Sequence, residues 1–134
     1  KHGVPVAMHN HNNLVDPDQF ATPASFEQAL AMSDRFMVTL DIGHFVAGNN
    51  DPVAFIAKHH ARIVNIHIRD RKRNNGPSRP FGQGDTPIAE VLRLIRDQRW
   101  PIQATIEFEY KVPSDSTRMA EIAKCIAFCR DALG

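Results

Sequence analysis

The chain is poor in cysteine, lacks any long apolar run and carries almost no net charge. Two cysteines in 134 residues exclude a disulfide framework. Cys125 and Cys129 are four apart in a helical pattern, so they share a helix face on which disulfide geometry is poor. They read as reduced core thiols, as a cytoplasmic location would allow. No stretch approaches the roughly 18 apolar residues of a membrane-spanning helix, so no membrane partner is expected. The start, Lys1-His2-Gly3-Val4, has neither the apolar segment of a signal peptide nor an initiator methionine. The sequence therefore reads as a piece of something longer, or as a processed chain. A formal net charge of +1 lacks the basic excess of a nucleic-acid binder. There is no low-complexity tract and no clear internal repeat.

What is present is a regular alternation. Hydrophobic residues make up 43% and charged residues 23%, the balance of a globular domain. Short apolar runs predict strands at Val4–Met8, Met37–Leu40, Ile63–Ile66 and Ile102–Ile106, mostly apolar on both faces as in a buried parallel sheet. Thr22-Pro23, Asp51-Pro52 and Thr86-Pro87 each place a capping side chain before a proline at a first helical position. Ile88, Val91, Leu92 and Ile95 form one helical stripe; Met119, Ile122, Ile126, Cys129 and Leu133 form another. The order β-α-β-α-β-α-β-α implies parallel strands joined by right-handed crossovers.

Each predicted strand runs into a polar residue able to bind a metal: His9, with His11 close behind, then Asp41, His67 and Glu107. In parallel α/β folds the C-terminal strand ends line the ligand-binding face. A single polar strand end can mean no more than a chain leaving the core. Four in succession, two imidazoles and two carboxylates, point to one divalent ion such as Mn, Co, Zn or Mg. His44 follows Asp41 closely enough to contact a second metal or a substrate oxygen. The segment Arg69 to Gly84 is long, basic and rich in glycine, asparagine and proline. It is expected to lie over the metal face as a mobile lid, with most of Arg69, Arg71, Lys72, Arg73 and Arg79 solvated. At least one of these five, Lys72 among the candidates, could instead face the site and bind a substrate hydroxyl or phosphate. Gly82-Gln83-Gly84 before a helix start is a weak anion-site signal.

The strings His9-Asn10-His11, Leu40-Asp41-Ile42-Gly43-His44, His67-Ile68-Arg69-Asp70-Arg71-Lys72, Pro80-Phe81-Gly82-Gln83-Gly84-Asp85 and Ile106-Glu107-Phe108 resemble the sugar phosphate isomerase/epimerase family. That family lies in the xylose isomerase-like TIM-barrel superfamily, with ketose 3-epimerases, inosose dehydratases and endonuclease IV. The resemblance covers essentially the whole chain. It implies an α/β fold, a (β/α)8 TIM barrel of which residues 1–134 supply the C-terminal four βα units, strands five to eight. Such a barrel usually takes about 250 residues, so an N-terminal half barrel is the expected partner, with a homo-oligomer of half barrels as the other arrangement.

By that resemblance Asp41, His67 and Glu107 match metal ligands, His44 a substrate-binding histidine, and Arg73 a substrate-binding arginine. The first ligand of the epimerases is a glutamate, where this chain has His9. The metal set is then His9, Asp41, His67 and Glu107, and the acid/base candidates are Glu107, His9 and His11. The implied activity is a metal-dependent sugar, sugar phosphate or polyol isomerase or epimerase. It would move a proton next to a carbonyl through an enediolate. An inosose-type dehydratase and a non-catalytic carbohydrate-binding remnant are the alternatives. Endonuclease IV chemistry is disfavoured, because it needs an Asp-x-His pair after the third strand and residues 71–87 contain no histidine.

Overall fold

The computed structural model describes residues 3–16 and 18–134. Strand β1 is Val6–His9 and helix α1 Pro23–Met32. Strand β2, Phe36–Asp41, runs directly into the short helix α2, Ile42–Ala47. Helix α3 is Pro52–His59, followed by a 3-10 turn and strand β3, Ile63–Ile68. A small antiparallel pair, β4 (Asp70–Arg71) and β5 (Ser78–Arg79), precedes helix α4, Ile88–Gln98. Strand β6 is Gln103–Ile106 and helix α5 Arg118–Leu133.

The main sheet has the order β1-β2-β3-β6 and every pairing is parallel, as the alternation predicted. Val38, Leu40, Ile66 and Ile68 point to one face and are buried under the helices. There they meet Phe26, Phe45, Phe55, Ile56, Ile88, Val91 and Ile95. The opposite face is not apolar, contrary to expectation. It carries Thr39, Asn65, Gln103 and Thr105, and the Thr105 hydroxyl donates to Asn65 Oδ1. The strands thus alternate in character, as strands covered on one side only do. Edges β1 and β6 have no further strand partner among the described residues.

Two of the three expected caps form. Thr22 and Ser25 exchange hydroxyl and backbone hydrogen bonds in a capping box on α1, and Asp51 accepts from Val53 and Ala54 on α3. Thr86 does not cap α4. Its hydroxyl instead accepts from the backbone N–H of Arg71, and the helix begins after Pro87. The α5 stripe is also different from the predicted one. Met119 is 74% exposed, whereas Glu121, Cys125 and Ala132 are buried. The Glu121 carboxylate accepts from Tyr110 Oη at 2.9 Å, from Ser116 Oγ and from Lys124 Nζ. A fully satisfied buried carboxylate sets the helix rotation here over a competing apolar stripe. Cys125 and Cys129 are free thiols, the latter pushed up to about 11 by burial.

The segment after β3, expected to form a mobile lid, is tied down by hydrogen bonds in the structure. The buried Asp70 carboxylate accepts the backbone N–H groups of Gly82, Gly84 and Thr86. A β-carbon on Gly84 would sit 1.8 Å from Asp70 Oδ1, so only glycine lets the loop close on that carboxylate. The tip is tied to α2, Asn75 N–H donating to Ala47 O at 2.8 Å. Asn74 and Asn75 both adopt the left-handed conformation that asparagine tolerates.

Candidate metal centre

Register decides which side chains meet. His9 pairs with Thr39 and Asp41 with His67, while His67 pairs with Thr105. Asp41 is two residues beyond Thr39, and Glu107 two beyond Thr105. A strand alternates sides every residue, so all four candidate ligands project from the polar face. The backbone N–H of Glu107 still donates to Ile68 O, which carries the pairing past the end of β6. One ligand atom from each of His9, Asp41, His67 and Glu107 lies within 4.8 Å of all the others.

Local bonds hold these groups. The fully buried Asn10 side chain accepts from Asp41 N–H at 2.7 Å and donates to Asp41 O at 3.0 Å, clamping the end of β1 to that of β2. Asp41 also caps α2, its Oδ1 accepting from His44 N–H at 2.7 Å. That bond fixes one carboxylate oxygen and leaves Oδ2 facing the cluster. His9 Nδ1 lies 3.3 Å from Thr39 O; donation there leaves Nε2 as the lone-pair nitrogen. Burial, then the neighbouring His67, lowers the His9 pKa and keeps the ring neutral. Burial raises the Asp41 carboxyl to about 7, against the pull of the Arg69 guanidinium.

Arg69 runs through the site. It is 2% exposed and crosses over Gly43 in the first turn of α2. Its Nη2 lies 2.6 Å from Glu107 Oε1 and its Nη1 2.6 Å from Glu109 Oε2, with Nε 3.1 Å from Asp41 Oδ2. The last contact has ion-pair distance but not the angle of a hydrogen bond. His67 Nδ1 and Glu107 Oε2 face each other at 2.7 Å with the same defect. Asp41 Oδ2, His67 Nδ1, Glu107 Oε2 and Arg69 Nε are therefore buried without a hydrogen-bond partner. Three of these four are potential ligand atoms, one each from an aspartate, a histidine and a glutamate. Bonds of about 2.1 Å to one divalent ion would satisfy all three, so the residues present fit such an ion.

A second polar group adjoins the first. The His11 ring centroid is 5.2 Å from that of His9 and 5.3 Å from that of His44. His44 Nε2 lies 2.7 Å from Arg69 Nη1, and its Nδ1 2.8 Å from Asn12 Oδ1. Arg71 Nη1 also lies 2.7 Å from Nδ1; both arginines can only donate, so the ring is flanked by a donor on each nitrogen. Burial and the two flanking arginines, Arg69 and Arg71, drive the His44 pKa down to about 3, so this ring stays neutral.

The expected substrate cations lie elsewhere. Lys72 Nζ pairs with Asp85 Oδ1 at 2.8 Å, and Arg73 is exposed, its backbone N–H bound to Asp85 Oδ2. The basic residues nearest the cluster are Arg69 and Arg71, which sequence reading left among the solvated members. One signal was available: both follow His67 at the alternate spacing of strand residues, whereas Lys72 and Arg73 lie beyond β4. Asn10 and Asn12, unassigned from sequence, flank His11 at the end of β1.

The profile of the family described as xylose isomerase-like TIM barrel matches residues 1–132. No curated protein matches the chain. Among solved structures, a sugar phosphate isomerase/epimerase from Parabacteroides distasonis superposes with a TM-score of 0.64 at 24% identity, over 90% of this chain and 43% of its own. A 3-keto-D-glucoside 4-epimerase from E. coli gives 0.72 at 15%, over 96% and 46%. A protein from Bacillus anthracis described as a 3-DHS dehydratase gives 0.67 at 15%, over 92% and 49%. The chain spans about half the length of the structures it matches, and its four parallel βα units are half of such a barrel.

Proposed function

Because the chain belongs to the xylose isomerase-like TIM barrel family, we propose that residues 1–134 are strands five to eight of a divalent-metal-dependent sugar isomerase or epimerase. One observation carries this reading: four ligand atoms from four adjacent strand ends converge, and three of the residues hold buried polar atoms with no hydrogen-bond partner. His9, Asp41, His67 and Glu107 would hold the ion. When bound, it would polarise a substrate carbonyl and ease loss of the neighbouring proton. Glu107, its side chain 32% exposed, would take that proton. His9 or His11 would be the partner acid or base on the other side. His44, held neutral, would orient a substrate oxygen rather than move a proton.

The full-length barrel and its sugar or polyol substrate are part of the proposal, as are Lys72 and Arg73 as outer contacts of a completed pocket. No helix among the described residues is long and apolar enough to cross a membrane. A dehydratase is the second reading, favoured by one feature: His9 stands where a two-glutamate proton relay would need a carboxylate. Incubating the full-length protein and Mn²⁺ with ketoses in D2O tests the choice. Deuterium incorporated next to the carbonyl, with an epimer or isomer as product, supports the first reading; loss of water supports the second. Neither, in protein that binds no divalent ion, overturns both.

A further inference from the structure

We propose that Arg71 anchors an anionic group of the substrate, so that the sugar handled here carries a carboxylate or a phosphate. The inference rests on the reading of this cluster as a sugar site, and it names the substrate class. The two arginines beside His44 are used differently. Arg69 meets three carboxylates, those of Asp41, Glu107 and Glu109. Arg71 meets none among the described residues. Its bonds go to Gly76 O from Nε (3.0 Å) and Nη2 (2.7 Å) and to Asn12 Oδ1 from Nη1 (2.8 Å), all neutral acceptors. A part-buried guanidinium without a counter-charge is costly unless an anion arrives.

A donor count shows what the anion would meet. A guanidinium has five N–H groups. Two of them reach Gly76 O and one reaches Asn12. Nη1 also faces His44 Nδ1 at 2.7 Å, so its donors are directed at Asn12 and His44. The second N–H on Nη2 is left without a partner, a charge-assisted donor that a carboxylate or phosphate oxygen accepts.

The guanidinium is also held in place before any ligand binds. Arg71 lies in the β4–β5 pair, its backbone N–H donates to Thr86 Oγ1, and its side chain grips the turn at Gly76. A β-carbon on Gly76 would lie 2.5 Å from Lys72 Cβ, so the turn is tight. Asn12 and Asn75 border a groove of about 380 Å³ that continues along Asn13, Leu14 and Val15. That volume lies within the roughly 300–1,000 Å³ of small-molecule sites. Arg71 touches this groove's wall through Asn12 and the polar group beside the metal cluster through His44.

The test uses the full-length protein, with inorganic phosphate, acetate and the neutral glycerol as probes, each with and without Mg²⁺. Binding is followed at the Arg71 Nε–H resonance, and Mg²⁺ binding is measured separately by calorimetry. Saturable shifts with phosphate or acetate but not glycerol are expected, the tighter of the two naming the anion. Arg71→Gln should weaken that binding at least tenfold, and Arg71→Lys, which keeps the charge but loses the guanidinium held on Gly76 O and Asn12, severalfold. Arg79→Gln, an exposed arginine on the same hairpin, should leave it unchanged. If Arg71→Gln does not fold, the Arg71→Lys comparison decides. No saturable anion shift, or shifts equal in wild type and Arg71→Lys, would mean that Arg71 only clamps the hairpin and would overturn the proposal. Failure to bind Mg²⁺ with anion binding intact would remove the metal reading and leave Arg71 as an anion anchor.

Discussion

Gly43 and Arg69 share one space: a β-carbon on Gly43 would lie 2.3 Å from Arg69 Cγ and 2.7 Å from Arg69 O. The glycine is what lets the arginine pass over α2 into the cluster. Gly43→Ala should therefore destabilise the protein by about 1–3 kcal/mol through overpacking, despite alanine's better helix propensity. Gly48→Ala is the control, since the nearest atom there belongs to the side chain of Asn50 at 3.0 Å. Urea unfolding compares them. Equal midpoints would show that Arg69 moves aside freely.

The metal reading predicts a sharp loss of affinity on removing one ligand. Glu107→Gln and His67→Ala should each weaken Mn²⁺ binding by more than the about 10–100-fold lost when only an outer hydrogen-bond partner is removed. Calorimetric titration reads this directly. Unchanged affinity in both variants would count against the cluster as a metal site.

A pH prediction follows from Asp41. Its folded pKa, about 7, lies above the ordinary 3.8. In the metal-free protein its contribution to stability is complete below about 3.8 and lost as pH rises towards 7. His44 acts in the opposite sense: lowered from 6.5 to about 3, it contributes stability above 6.5 that is lost as pH falls towards 3. Because the windows overlap, the comparison is between wild type and Asp41→Asn. The stability difference should move in favour of the variant between about pH 4 and 7. Metal affinity of the wild type should fall about tenfold per pH unit below 7, as the proton competes for Asp41. A flat difference across that range would show that Asp41 titrates normally.

The pinned hairpin gives a fourth expectation. Asp70→Ala removes the acceptor of three backbone N–H groups. It should cost more than about 2 kcal/mol and speed amide exchange at Gly82, Gly84 and Thr86. Unprotected exchange at those amides in the wild type would instead support a mobile lid.

The strand ends were legible because a polar residue after a short apolar run is a local signal. The same locality explains what was missed. The polar inner sheet face is present in Thr39, Asn65 and Thr105, yet each is flanked by apolar residues that dominate a short window. The rotation of α5 was hidden because Glu121 is buried only through Tyr110, Ser116 and Lys124, contacts partly made outside the helix. Thr86 looked like a cap because its competing partner, the N–H of Arg71, is fifteen residues away. Arg69 lay in a charged run that composition assigns to solvent; only the missing β-carbon of Gly43 opens the path it takes inward.

The four cluster residues come one from each strand of β1 to β3 and one from just past β6, so the group ties the two outer strands of the described sheet together. A parallel sheet with open sides can come apart from either margin one strand at a time. An ion held by His9, Asp41, His67 and Glu107 would join those separate steps into one. Peeling off either outer strand would then first require losing the ion. Binding would slow unfolding as well as shift its equilibrium, and the bound fraction would report that all three strand pairings had formed in the right register.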